Sequence, residues 1–129
     1  MCFAFLSTSL DIPINLLFVE DEADLRSVVT QALSDQGFAV TPASDGIEAI
    51  AQLRGETQYA VVVTDVSMPG GVSGLEVAAA VAETQLGARV LVVSGLQRSQ
   101  LPPIPASVRF LPKPYRFKQL ITAIHEQLN

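Results

Sequence analysis

The sequence predicts an α/β fold: a doubly wound (βα)5 three-layer sandwich around a five-stranded parallel sheet. Three observations carry this. Short apolar runs alternate with segments whose apolar residues recur at helical spacing. The runs are continuous rather than alternating, so both faces of each strand are covered, as in a parallel sheet between helix layers. The length, 129 residues with 49% hydrophobic, fits one domain with a full core. No internal repeat or low-complexity stretch interrupts the alternation.

The first strand is expected at residues 14–19, apolar apart from Asn15 and running into Glu20-Asp21. A helix over 22–36 follows, with Leu25, Val28, Val29, Ala32 and Leu33 on one face and Gly37 as its stop. Residues 38–41 form a short strand, and Pro42, which has no N–H to give a ladder, puts it at or near an edge. Asp45 and Glu48 have the spacing of a helix-start capping pair, and the helix they open turns Ile47, Ile50 and Leu53 inward before stopping near Arg54-Gly55.

Residues 59–64 are a third run, closing on Asp65. A Pro/Gly loop over 68–73 leads to a second capping pair, Ser73 and Glu76, and an alanine-rich helix to about Gln85, ended by Gly87. Residues 89–93 form the fourth strand, closing on Ser94-Gly95. The next stretch holds Pro102, Pro103 and Pro105. Each proline inside a helix costs about 3 kcal/mol, so the fourth helix must be short or irregular, within 97–101. Residues 108–111 are the last strand. Phe117, Leu120, Ile121, Ile124 and Leu128 mark one face of the final helix.

Composition excludes several functions. Cys2 is the single cysteine, so there is no internal disulfide and no cysteine-based zinc site, which suits a reducing, cytoplasmic setting. The net charge is −5, and the basic residues are scattered apart from Arg109, Lys113, Arg116 and Lys118. Nucleic acid is therefore not an expected partner. The basic group reads as a solvated face, with partner docking as its alternative. The apolar start, MCFAFLSTSL, lacks a basic leader and a cleavage site, and is too short to span a bilayer. Residues 1–13 are read as an extension preceding a domain over 14–129, without membrane insertion.

Right-handed crossovers make the fold doubly wound, and ligands of such folds sit beyond the carboxyl ends of the strands. Those ends carry Glu20-Asp21, Asp65, Ser94 and Lys113. Three carboxylates brought together repel unless a cation sits among them. A hard oxygen site with few protein ligands suits Mg²⁺, which keeps several waters and shares phosphate oxygens. A lysine adds a point charge for a phosphate oxygen, and a hydroxyl can donate to another. Phosphoryl transfer needs mainly this positioning and neutralisation, and a carboxylate can be its nucleophile.

The ordered set of short motifs resembles the receiver domain of two-component signalling proteins. The matching residues are Val19-Glu20-Asp21-Glu22, Asp45-Gly46-Ile47-Glu48-Ala49, Asp65-Val66-Ser67-Met68-Pro69, Gly74-Leu75-Glu76, Ser94-Gly95 and Lys113-Pro114-Tyr115. The resemblance implies a flavodoxin-like fold and a phosphoacceptor signalling domain, which acts catalytically only on its own phosphorylation and dephosphorylation. Asp65 would take a phosphoryl group from a histidine kinase or histidine phosphotransfer protein. Glu20 and Asp21 would hold Mg²⁺ with Asp65 and the Ser67 carbonyl. Lys113 would pair with the phosphoryl group, and the Lys113-Pro114 peptide would be cis. Ser94 would shift toward it, and Phe110 would be the aromatic switch.

Two departures matter. The loop after Asp65 is one residue longer than the commonest form and resembles that of the C-terminal receivers of hybrid sensor kinases. The proline-rich stretch erodes the helix that usually contributes to the family's output face. The alternative is a receiver-fold interaction module independent of phosphorylation. A haloacid-dehalogenase-like phosphatase also uses an aspartate nucleophile, but it wants a second acid where Ser67 stands. His125 reads as a solvated helix residue.

Overall fold

A computed structural model describes residues 13–68 and 70–129, so the expected N-terminal extension, apart from Pro13, and Pro69 lie outside the described residues. The elements are β1 (Ile14–Val19), α1 (Ala23–Asp35), β2 (Phe38–Ala43), α2 (Gly46–Leu53), β3 (Val61–Asp65), α3 (Gly74–Thr84), β4 (Arg89–Ser94), a single 3-10 turn (Arg98–Gln100), β5 (Val108–Pro112) and α4 (Phe117–Leu128). The five strands form one sheet in the order β2-β1-β3-β4-β5, every pair parallel.

Side chains alternate across each strand, so one apolar run feeds two cores. Leu17, Val19, Val62, Val90 and Val92 pack under α2 and α3. Leu16, Phe18, Val61, Val63, Leu91 and Val93 pack under α1 and α4. The layering follows from handedness. A right-handed crossover puts its helix on one face when the chain steps outward from β1 to β2, and on the other when it steps back through β3, β4 and β5. The strand order therefore reverses at β1 and β3, which opens a crevice beyond their carboxyl ends.

Local chemistry sets the element ends. Asp45 accepts from the Glu48 N–H at 2.8 Å, while the Glu48 carboxylate reaches back to Ser44 rather than to Asp45, bonding its N–H at 2.5 Å and its hydroxyl at 3.0 Å. Ser73 and Glu76 form the full reciprocal box at the start of α3. β2 is an edge strand, as Pro42 requires, and it runs on through Pro42 to Ala43, two residues past the expected end. An edge strand has one side free of a ladder, so the missing N–H is tolerated. The three prolines leave only the 3-10 turn where a fourth crossover helix was expected to be short or irregular. Among the described residues, no helix is long and apolar enough to cross a membrane.

Two inward assignments are corrected. Val28 is 66% exposed and Ile47 58% exposed. The helix α1 buries the Val29 and Leu33 line, and Val28 lies one residue, about 100° of arc, away from it. In α2 the buried line is Gly46, Ala49 and Leu53, and Ile47 is likewise one step off it.

Gln85, expected only as a helix end, is 2% exposed and ties three backbone groups together. Its amide donates to the carbonyls of Leu53 at 2.9 Å and Thr57 at 3.0 Å, and its oxygen accepts from the Tyr59 N–H at 2.9 Å. The side chain so pins the connection from α2 into β3. Gln85→Ala should destabilise the domain by about 2–3 kcal/mol, because buried backbone groups lose their partners. Urea denaturation at unchanged slope measures it, and a loss below about 0.5 kcal/mol would contradict the role.

Candidate functional site

Four strand ends supply the site. The chain leaves β1 at Glu20, whose N–H still bonds the Ala43 carbonyl at 3.0 Å, so it is held as though the strand continued. Its carbonyl accepts from the Arg26 guanidinium at 2.9 Å, which anchors the same turn to α1. Asp65 is the last residue of β3, and the next N–H, Val66, bonds the Val93 carbonyl at 3.0 Å. Lys113 follows β5, and its N–H bonds the Ser94 carbonyl at 2.8 Å, which registers the lysine against the end of β4. The Lys113-Pro114 peptide is cis, as expected.

These backbone positions aim the side chains at one point. The Lys113 ammonium lies 2.7 Å from Asp65 Oδ2 and 3.0 Å from Glu20 Oε1. Glu20 Oε2 accepts from the Glu22 N–H at 3.0 Å, and Asp65 Oδ1 from the Ser67 N–H at 3.3 Å. Glu20 is 3% and Asp65 8% exposed, whereas Asp21 is open to solvent. Carboxylate oxygens of Glu20, Asp21 and Asp65 lie within 4.8 Å of one another.

The charges explain what such a site accepts. Burial raises the Glu20 carboxyl above its usual value, with the Asp65 charge adding to the rise, although the Glu22 N–H and Lys113 hold it down. Burial works against the Lys113 ammonium, yet its hydrogen bonds to Asp65 and Glu20 outweigh this and hold it above its ordinary value. Three carboxylates and one ammonium carry a formal charge of −2, the charge a divalent cation neutralises. An all-oxygen donor set of this kind, part buried and open on the Asp21 side, fits Mg²⁺.

Ser94 is 1% exposed at the end of β4, and its Oγ accepts from the Leu96 N–H at 3.0 Å, which leaves its own O–H to donate elsewhere. Ser67 is exposed in the loop after Asp65. Phe110 is not among the converging groups. It pairs with Val92 in the sheet, two residues before Ser94, and packs half-buried on the α2/α3 core. The structure thus brings Glu20, Asp21, Asp65 and Lys113 together, sets Ser94 and Ser67 beside them, and leaves Phe110 one layer back. His125 is exposed on α4, as expected.

Three residues of the matching motifs take roles here that the sequence did not assign. Gly74 is the first residue of α3, and a Cβ there would lie 2.1 Å from the Asp65 carbonyl oxygen. Gly46 makes a similar close approach, since its Cβ would meet Val72 Cγ1 at 2.5 Å and the Val72 carbonyl at 2.8 Å. Together they let α2 and α3 close on the loop that leaves Asp65. A glycine inside the first turn of a helix was the available signal, because helix propensity argues against it there. Tyr115 is the third. Burial pushes its phenol up to about 12 from an ordinary value of 10.0, with the Lys113 charge opposing and Glu20 and Asp65 adding.

Gly74→Ala should destabilise by about 1–3 kcal/mol, the order for a methyl forced into a filled space, and should shift the Asp65 backbone amide resonance. An unshifted resonance would show that the approach is not restrictive. Tyr115 sets an alkaline limit. The unfolded chain ionises the phenol near pH 10 while the folded chain keeps its proton until about pH 12. Its contribution is therefore intact below pH 10 and is lost as pH climbs through 12. Tyr115→Phe should lose about 2 kcal/mol less between pH 9 and pH 12, read from urea midpoints. An equal loss in both proteins would assign the limit to Lys113 alone, whose raised value acts in the same direction.

Comparison with known proteins agrees with this geometry. The response regulator receiver domain family matches residues 16–125. The chain is 34% identical over 128 residues to the sensor kinase CckA of Brucella abortus, covering 95% of this chain and 13% of CckA. It is 28% identical over 116 residues to the response regulator receiver protein CpdR of the same organism, covering 88% of this chain and 95% of CpdR. A crystal structure of a response regulator receiver protein from Sinorhizobium medicae superposes with a TM-score of 0.83 at 31% identity, covering 91% of this chain and 95% of that one. Carboxylates at two strand ends, a lysine at a third and a match over nearly the whole described domain lead to one assignment: the chain belongs to the response regulator receiver domain family of two-component signalling.

Proposed function

We propose that residues 14–129 are a receiver unit in which Asp65 accepts a phosphoryl group from the phosphohistidine of a histidine kinase or histidine phosphotransfer protein. The observation that carries this reading is the Lys113 ammonium, shared between Asp65 Oδ2 and Glu20 Oε1 at the crevice where the strand order reverses. A merely structural ion pair would not need two other carboxylates beside it. The 13% and 95% shares of CckA and CpdR show the same unit within a longer kinase and as almost a whole protein, so the proposal concerns the unit in either setting.

In the proposed step an Asp65 carboxylate oxygen attacks phosphorus, the P–N bond to the donor imidazole breaks, and the imidazole keeps the electron pair and takes up a proton. The product on this chain is an aspartyl phosphate. Glu20, Asp21, Asp65 and the Ser67 carbonyl would hold Mg²⁺, which when bound offsets charge on carboxylate and phosphoryl oxygens. Lys113 would follow the transferred group's charge, and the Ser94 O–H would donate to one of its oxygens. That shift of Ser94 would reach Phe110, paired with Val92 on the neighbouring strand, and so carry the switch toward the sheet edge. Hydrolysis of the aspartyl phosphate in the same site would end the signal. With a histidine kinase or phosphotransfer protein as donor, the reaction would take place in the cytoplasm.

Incubation with phosphoramidate and Mg²⁺ tests the reading. The wild type should be labelled on Asp65, Asp65→Asn should fall to background, and chelation of Mg²⁺ should abolish labelling. Lys113→Ala should slow labelling by about 100-fold, the order for removing one preorganised charge donor. Labelling of Asp65→Asn equal to wild type would sink the assignment. Folded wild type that neither labels nor binds Mg²⁺ at millimolar concentration would favour the phosphorylation-independent interaction module.

A further inference from the structure

The three carboxylates of the site are not held alike. Glu20 is fixed through Lys113 and the Glu22 N–H, and Asp65 through Lys113 and the Ser67 N–H. Asp21 is exposed, and among the described residues none donates to its carboxylate. One of its oxygens still lies within 4.8 Å of those of Glu20 and Asp65. Its place is therefore set by the backbone on either side of its α-carbon.

Two peptide planes meet at that carbon. The first carries the Glu20 carbonyl, which accepts from Arg26 Nη1 at 2.9 Å. The second carries the Asp21 carbonyl, which accepts from the same nitrogen in a longer and weaker bond of 3.4 Å. The second plane also carries the Glu22 N–H, which donates to Glu20 Oε2 at 3.0 Å. With both planes tied, the direction of the Asp21 Cα–Cβ bond follows from them. The geometry of α1 makes this possible. Arg26 lies in its first turn, with its own N–H on the Glu22 carbonyl at 2.9 Å, and a helical side chain leans toward the N-terminus, back over the turn it has just left.

We propose that Arg26 is a positioning residue for the metal site. By binding the carbonyl oxygens on both sides of the Asp21 α-carbon, it aims the Asp21 carboxylate at the point where Glu20 and Asp65 converge. The inference rests on the Mg²⁺ reading of that site. The choice of acceptor supports it. Glu20, Asp21, Glu22 and Asp24 all lie close to Arg26 in the chain, yet among the described residues Arg26 makes no ion pair, and its guanidinium bonds carbonyls instead. The carboxylates stay available to a cation. The role also has a sign. As a charge alone Arg26 would repel a divalent cation, and its removal would tighten binding. As a positioning residue its removal weakens binding, as loss of the outer partners of metal ligands does by about 10- to 100-fold.

Mg²⁺ titration of the full chain, followed through amide resonances, separates these outcomes when backbone order parameters are also measured before metal is added. In Arg26→Met, which keeps an apolar stem and loses the donors, Mg²⁺ affinity should fall about 10-fold or more. The metal-free order parameters of Asp21 and Glu22 should drop while those of Asp65 and Ser67 hold. Arg26→Lys, which keeps a cationic donor, should recover part of both. Unchanged or tighter Mg²⁺ binding in Arg26→Met would overturn the proposal. Loss of order spreading along α1 to Val29 and Leu33 would also overturn it, and would make Arg26 an anchor of the helix instead. Wild type that takes up no Mg²⁺ at millimolar concentration would overturn the metal reading itself, whereas equal binding by wild type and Arg26→Met overturns the role of Arg26 alone.

Discussion

The Lys113 ammonium holds together groups that would otherwise drive the site apart. Glu20 and Asp65 are both buried, and their like charges face one another across the crevice between β1 and β3. Burial makes each charge costly, and a cation shared by both at 2.7 and 3.0 Å offsets the repulsion. The lysine can do so only because its own backbone is bonded to the Ser94 carbonyl at the end of β4. One interaction thus depends on the register of four strands, and the site is intact only where the sheet is. With Asp21 included, the formal charge remains negative, a balance that suits a divalent cation.

The close approaches at Gly46 and Gly74 serve the same end from the helix side. A loop of eight residues, 66–73, separates Asp65 from α3. Such a loop would let the carboxylate wander unless something clamps it. The Gly74 N–H bonds the Val66 carbonyl at 2.8 Å, and the absence of a side chain lets α3 start against the Asp65 backbone. Gln85 does the corresponding work at the other end of α3, where its side chain closes the turn into β3. The strand bearing Asp65 is therefore held at both ends by residues of one helix.

The proline-rich segment changes the surface beside α3. The prolines replace a crossover helix with one 3-10 turn, and Leu101 and Ile104 still pack on the α2/α3 core beside Phe110. Outside these contacts the surface is a groove rather than a helix face. The groove runs between α3 and the prolines that stand in place of the helix.

The order of elements, the parallel sheet and the identity of the converging residues were legible in the sequence because each rests on local signals. Continuous β-branched runs mark the strands, capping pairs at Asp45 and Ser73 mark two helix starts, and acids at the ends of the first and third runs mark the site edge. Which side of a helix is buried was only partly legible. Val28 and Ile47 are as apolar as their neighbours, and periodicity cannot place the boundary of the buried arc within one residue. Tertiary structure alone decided the rest. That Gln85 is a buried clamp, that Gly74 touches the Asp65 carbonyl and that Lys113 bridges two carboxylates are contacts between residues 26 to 93 positions apart, or between a helix start and a strand end. No local pattern encodes such contacts, because they exist only once the sheet register has brought the strand ends level. The sequence by itself determined which groups would stand at the carboxyl edge; the packed sheet determined how far apart they stand, and that spacing is what makes them one site.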